Sequence, residues 1–225
     1  MPGRMVPLVN DEIYHVVNRG IASQPIFFSK RDYDRKLATI SYYQYAYPPL
    51  RYSFFIRLPK DRRTEIIETL KKEEDVSVQI LAYCLMSNHL HLLLKQVRDS
   101  GISSFMSNIS NSYTRYFNTK NDRVGPIYQG KFKAVRVETD EQLLHVQRYI
   151  HLNPYSSHVV KTIEDLEDYP YCSLPEYLDR SSFGISNKGI VMSFFKNTKS
   201  FEAFIYNRAD YQRKLDDIKH LILES

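Results

Sequence analysis

Tryptophan is missing from this chain altogether, and cysteine occurs only twice in 225 residues, at Cys84 and Cys172. Two cysteines so far apart, without CxxC spacing, exclude a disulfide framework and a four-cysteine zinc site, and they suit a reducing cytosol. No apolar run approaches the roughly 18 residues of a membrane-spanning helix. The opening MPGRMVPLVNDE lacks the apolar core of a secretory signal. A soluble intracellular protein with no membrane association is therefore expected. Internal repeats and low-complexity tracts are also absent. What is present is ordinary for a globular chain: 43% hydrophobic and 25% charged residues, enough to bury one core or one core plus an appendage. Basic residues outnumber acidic ones 31 to 26, which leans toward a polyanionic partner. Tyrosine is the one excess, with 18 copies, so a single tyrosine motif matches easily by chance.

The hydrophobic pattern sets out the elements. Residues 11–19 (DEIYHVVNR) alternate as a strand that ends at Gly20. Residues 31–46 carry apolar positions at helical spacing, closed by Pro48-Pro49. Residues 58–75 predict a surface helix with Asp61 as its N-cap. VSVQILAYCLM and HLHLLLKQ predict two strands joined as a hairpin across Ser87-Asn88. A helix from Ile102 to about Asn118, a strand over 134–139 and a helix from about Asp140 to Leu152 follow, with two short helices expected beyond residue 160. The order predicts an α+β fold, an antiparallel sheet with helices on one face in a ferredoxin-like layout. Residues 48–77 read as a helical insertion in a domain spanning 1–160, and 161–225 as a mainly helical extension.

Two histidines in the run HLHLLL are the chemical anomaly. Strand residues two apart point to one face, so His89 and His91 project together while Leu90, Leu92 and Leu94 pack behind them. Two imidazoles at that spacing can share a divalent metal, or can be half-exposed sheet residues. Two ligands make a poor site, so a third is sought elsewhere. QRYIHLNP (147–154) offers one. On that helix His145, Tyr149 and Asn153 form a stripe at spacing four, beside an apolar stripe of Leu143, Val146 and Ile150. Asn153 precedes Pro154, which biases it toward the helix end. The alternative is that Tyr149 only packs at the helix–sheet interface and Asn153 only caps the helix. His15 reads as a structural strand residue.

Five segments taken in order, YHVVNRG (14–20), AYCLMSNHLHLLLK (82–95), YTRYFN (113–118), GPIYQGKFKA (125–134) and RYIHLNP (148–154), resemble the single-tyrosine HUH transposases. Within them the chain is most similar to the REP-associated tyrosine transposases of the IS200-like family. The resemblance covers about residues 11–47 and 78–160, with a weaker echo at YPYCSLPEYL (169–178). It implies a ferredoxin-like (RRM-like) fold and metal-dependent cleavage and joining of single-stranded, hairpin-forming DNA. Carried over residue by residue, it implies His89 and His91 as metal ligands, Tyr149 as nucleophile and Asn153 as the third ligand, with Mg²⁺ or Mn²⁺ as the cation. It also implies a cytoplasmic, nucleoid-associated protein and leaves open a homodimer that exchanges the tyrosine helix. A phenol with its ordinary pKa near 10 needs help losing its proton, and His145 or His151 could act as base.

DNA needs a basic, aromatic surface. Between Tyr113 and Arg136 stand Arg115, Lys120, Arg123, Lys131, Lys133 and Arg136 against a single acid, Asp122, with Tyr128 among the interleaved rings. Cations there would contact phosphates and exposed rings would stack on bases; a solvated loop over core aromatics is the plainer alternative. Two other functions stay open on sequence: a domesticated, non-catalytic nucleic-acid-binding module, and an unrelated metallohydrolase using His89, His91 and His151. The second needs His151 on the Tyr149 face, and a two-residue step on a helix points the wrong way.

Overall fold

The computed structural model describes residues 7–181, 183–207 and 209–210. Strand β1 (Ile13–Arg19) leads into helix α1 (Lys30–Tyr43). Ser29 caps α1 in a capping box with Asp32, so two of the helix's free N–H groups are met by side chains. The short helix α2 (Tyr52–Phe55) and the surface helix α3 (Lys60–Glu73) follow. Pro59 takes the cap position expected for Asp61, because its carbonyl receives the Arg63 N–H at 3.1 Å. Asp61 sits instead in the first turn, where its charge still favours the helix dipole.

Strands β2 (Val78–Met86) and β3 (His89–Gln96) form the expected hairpin with Ser87 and Asn88 in the turn. Helix α4 (Gly101–Lys120), strand β4 (Lys133–Val137) and helix α5 (Asp140–Ser156) complete the core order. The sheet runs β2-β3-β1-β4 with every neighbour antiparallel, the strand order of a ferredoxin-like fold.

The helices do not share one face, contrary to the sequence expectation. Tyr14, Val16, Leu90, Leu92 and Leu94 pack with α1 and α4 in one core. Leu81, Cys84 and Leu93 pack with α5 in a second. Helices α6 (Ile163–Glu167), α7 (Leu174–Tyr177), α8 (Gly189–Met192) and α9 (Thr198–Tyr206) add to that second core. The sheet is thus buried on both sides, which explains why β3 runs Leu92-Leu93-Leu94 without alternating with polar residues. The segment YPYCSLPEYL covers the outer edge of β2: Leu85 N–H donates to Tyr171 O at 2.8 Å and Ser173 N–H to Tyr83 O at 2.9 Å. That pairing closes an edge otherwise open to another chain. The expected helical continuation through 211–225 lies outside the described residues.

Candidate active site

The odd-numbered residues of β1 and β3 meet on the α5 side of the sheet. His91 pairs in register with Val17, and His89 with Arg19. The His89 and His91 rings stand edge to face at 4.8 Å. Burial pulls His89 down to about 4, with the Arg19 charge adding to it. His91 is held well below the ordinary histidine range by burial, then by His89, His15 and Arg19. Both imidazoles are therefore neutral at pH 7 and carry a bare nitrogen, the form that binds a metal.

His15 belongs to this cluster and is more than a sheet residue. Its Nε2 lies 3.0 Å from His91 Nδ1, and the two rings stack at 5.2 Å. The pairing depends on the offset between β1 and β3, which the sequence does not state. The same face of β1 presents Arg19, exposed and aligned with His89, a cation that the basic-stretch criterion passed over because it stands outside that stretch. Its signal was the alternation of Tyr14, Val16 and Asn18 on the buried face, which assigns His15, Val17 and Arg19 to the other.

Helix α5 crosses this face. The Tyr149 ring sits edge-on to His91 at 5.4 Å and to His15 at 6.0 Å. Asn153 follows one turn later, 2% exposed, and its Oδ1 has no hydrogen-bond partner among the described residues. His91 Nε2 is buried and unpartnered as well. The helix does not stop at Leu152; it continues to Ser156 with Pro154 inside it. Proline removes one N–H from the ladder, and the freed Ile150 carbonyl faces the Cys172 thiol at 3.9 Å. Asn153 is thus a helical residue, its carbonyl receiving the Ser157 N–H, while its side chain stays free of any capping duty.

A divalent cation fits these donors. No group of three or more His, Cys, Asp or Glu is arranged to hold a metal among the described residues, so a third donor beside His89 and His91 has to be of another type. The orphaned Asn153 oxygen is of that type, and unpaired buried polar atoms require a partner.

The two candidate bases part ways. His151 is fully buried in the second core, its ring against Tyr177 and Phe201 and its Nε2 2.8 Å from Ser173 Oγ. Burial pulls it down to about 3, and it does not face Tyr149. His145 is exposed and pairs with Glu141 at 3.6 Å. Two other tyrosines, Tyr113 and Tyr116, lie on the opposite side of the sheet. Tyr113 donates to Ile26 O at 2.6 Å and Tyr116 to Asp32 at 2.9 Å, both in the α1/α4 layer.

The basic set is divided too. Lys131 and Lys133 are exposed and line a groove of about 990 Å³ with Asn18, Ser107, Ser110 and Phe132. Arg115 and Arg123 are exposed as well. Lys120 is bound to the buried Asp32 carboxylate at 2.6 Å. Burial alone would raise that carboxyl, yet hydrogen bonds from Lys120, Tyr116, Phe28 and Ser29 hold it below its ordinary value. Arg136 makes a two-pronged ion pair with Glu12. Tyr128 is 6% exposed, with its hydroxyl buried. Its ring belongs to the α1/α4 core and also lines the groove beside Lys131 and Lys133.

Residues 36–153, more than half of the chain, match the family model described as IS200-like transposase. A solved structure of a REP-associated tyrosine transposase bound to a REP hairpin aligns with a TM-score of 0.54 over 83% of this chain and 98% of that one, at 14% identity. At that identity the likeness speaks for the fold. No curated protein matches. With the sheet order, the histidine face and the family match in agreement, the chain belongs to the IS200-like transposase family, and its role is that of a DNA transposase.

Proposed function

We propose that the protein cleaves and rejoins single-stranded, hairpin-forming DNA through a 5′-phosphotyrosine at Tyr149, with a divalent cation held by His89, His91 and Asn153. The observation that carries this reading is the packing of Tyr149 against His91 at 5.4 Å, with the unpartnered Asn153 oxygen one turn along the same helix. The hairpin-bound relative supports the choice of DNA substrate.

The chemistry follows from these groups. The Tyr149 oxygen attacks phosphorus in line, a P–Oη bond forms and the bond to the 3′ oxygen breaks. The tyrosine proton departs, and the leaving 3′ oxygen gains one to become a hydroxyl. A bound cation would supply charge stabilisation for the non-bridging phosphate oxygens and orient the phosphate. The ester's free energy is retained in the phosphotyrosine, so a second 3′-hydroxyl can reverse the step without a nucleotide cofactor. Imidazole donors favour Mn²⁺ over Mg²⁺. His145 is the better placed of the two proposed bases, because it shares the Tyr149 stripe while His151 does not. Arg115, Arg123, Lys131 and Lys133 form the exposed part of the proposed DNA surface; Lys120, Arg136 and Tyr128 are given structural roles within it.

The test is a covalent-adduct assay on hairpin-bearing single-stranded DNA with and without Mn²⁺, resolved on a denaturing gel. An adduct that needs the ion, mapped to Tyr149 by mass spectrometry, is the expected outcome. A DNA remnant on another tyrosine overturns the assignment, and no adduct under any ion favours a binding module.

A further inference from the structure

Two residues touch the site histidines without belonging to the donor set. Asn88 stands in the β2–β3 turn and is held from two sides. Its carbonyl receives the Gly20 N–H at 2.8 Å, and its Nδ2 donates to Ser23 O at 2.9 Å. The tight turn after β1 requires glycine there, because a Cβ at Gly20 would run into the Gln24 carbonyl. With its NH₂ committed to a carbonyl, the Asn88 amide turns its oxygen the other way. That oxygen lies 2.5 Å from His89 Nδ1. An amide oxygen only accepts, so Nδ1 of the neutral His89 carries the proton and Nε2 is bare.

His91 is tied from a different element. Its Nδ1 meets His15 Nε2 at 3.0 Å, with the rings stacked and only 22° apart in plane. One proton serves that contact. The far nitrogen, His91 Nε2, is buried without a partner. If the proton sits on Nδ1 and is donated to His15, Nε2 presents a lone pair, the only form able to take a cation. Outer hydrogen bonds of this type fix the ring orientation and the tautomer of metal-binding histidines.

We infer that Asn88 and His15 are positioning residues that hold His89 and His91 as Nδ1–H tautomers, so that both bare Nε2 atoms are set before a cation arrives. The inference rests on the proposed metal reading for its purpose, and on the two hydrogen bonds for its content. The pair comes from the hairpin turn and from β1, so the site is fixed by the sheet itself rather than by the helix that carries the nucleophile.

Nitrogen-15 NMR of histidine-labelled, metal-free protein reads the tautomers directly, and calorimetric Mn²⁺ titration reads the consequence. Wild type should show Nδ1–H at both His89 and His91. His15→Leu should give a tautomer mixture at His91 alone, and Asn88→Leu at His89 alone, each with about 10–100-fold weaker Mn²⁺ binding. His15→Gln and Asn88→Asp keep an acceptor oxygen and should retain the tautomer and hold affinity within a few-fold of wild type or better. An Nε2–H tautomer at either ring in wild type overturns the inference. So do leucine variants that bind Mn²⁺ as wild type does, or a Gln variant as weak as the Leu variant. If wild type binds no Mn²⁺ yet shows both Nδ1–H tautomers, the positioning assignment stands and the metal reading falls.

Discussion

The two faces of the sheet are built from the same strands and gather different side chains. On the α1/α4 side, Leu90, Leu92 and Leu94 are fully buried, and two of the tyrosines there have committed hydroxyls, Tyr113 to Ile26 and Tyr116 to Asp32. Burial, and for Tyr116 its bond to Asp32, pushes that phenol up to about 12 and Tyr113 further still. Tyr113, fully buried, cannot reach a phosphate without opening the core, and the half-buried Tyr116 is held by its bond to Asp32. On the α5 side, His15, His89 and His91 gather beneath Tyr149, and His91 Nε2 and Asn153 Oδ1 are among the buried polar atoms left unpaired within the described residues. A strand in this fold can therefore bury leucines on one face and gather histidines on the other, because its period of two separates them residue by residue.

Several substitutions would break or sharpen that contrast. The largest effect is expected at the nucleophile. Tyr149→Phe should retain fold, Mn²⁺ and hairpin binding yet lose the covalent DNA adduct entirely, as read on a denaturing gel. Tyr113→Phe should keep the adduct and instead cost about 1–3 kcal/mol of stability, since Ile26 O loses its partner. If Tyr113→Phe lost the adduct and Tyr149→Phe kept it, the functional assignment of the two faces would be reversed.

Next comes the strand itself. Changing both His89 and His91 to Ala should abolish Mn²⁺ binding by calorimetry while circular dichroism stays native. Leu92→Ala, a neighbour on the opposite face, should cost about 2–5 kcal/mol and leave Mn²⁺ affinity of the folded protein unchanged. Mn²⁺ binding that survives the double change would remove the site.

A smaller effect is expected for the basic surface. Lys131 and Lys133 are exposed and each should contribute about one phosphate contact, so losing both flattens the slope of log affinity against log salt by roughly one to two units. Lys120→Ala should leave that slope alone and lower stability, because its ammonium already serves the Asp32 carboxylate. Equal slopes for wild type and the double variant would move the DNA surface elsewhere.

The smallest effect probes the quiet face. Lys36 is fully buried beneath α4, bonded to Ile109 O at 3.0 Å, and burial pulls its ammonium down to about 7. The unfolded chain keeps the ordinary value of 10.5. Between these values the unfolded state binds more protons, so stability should rise with pH above about 7. Lys36→Met should erase that slope, measured up to about pH 9.5 to stay below the ordinary tyrosine range. It should also raise the thermal midpoint at pH 7 by roughly the 2–4 °C that 1 kcal/mol makes in a chain of this size. A midpoint that falls would mean that the ammonium stabilises the core.

The sequence by itself determined most of the elements and most of the residues of the candidate site. Alternation in HLHLLL separated the histidines from Leu90, Leu92 and Leu94, and four-residue spacing put Tyr149 and Asn153 on one stripe, because both periods are local properties of the backbone. Only the tertiary structure decided which face each helix covers, and so which tyrosine meets His91 and which lie on the other side of the sheet. It also brought His15 to His91 and Arg19 to His89 through the β1–β3 register, placed His151 among Tyr177 and Phe201, and tied Lys120 and Arg136 to Asp32 and Glu12. Those pairings join residues from distant parts of the chain, 76 positions apart for His15 and His91. Residue order and composition cannot specify them, because strand register and helix docking are settled by burying the two apolar faces together.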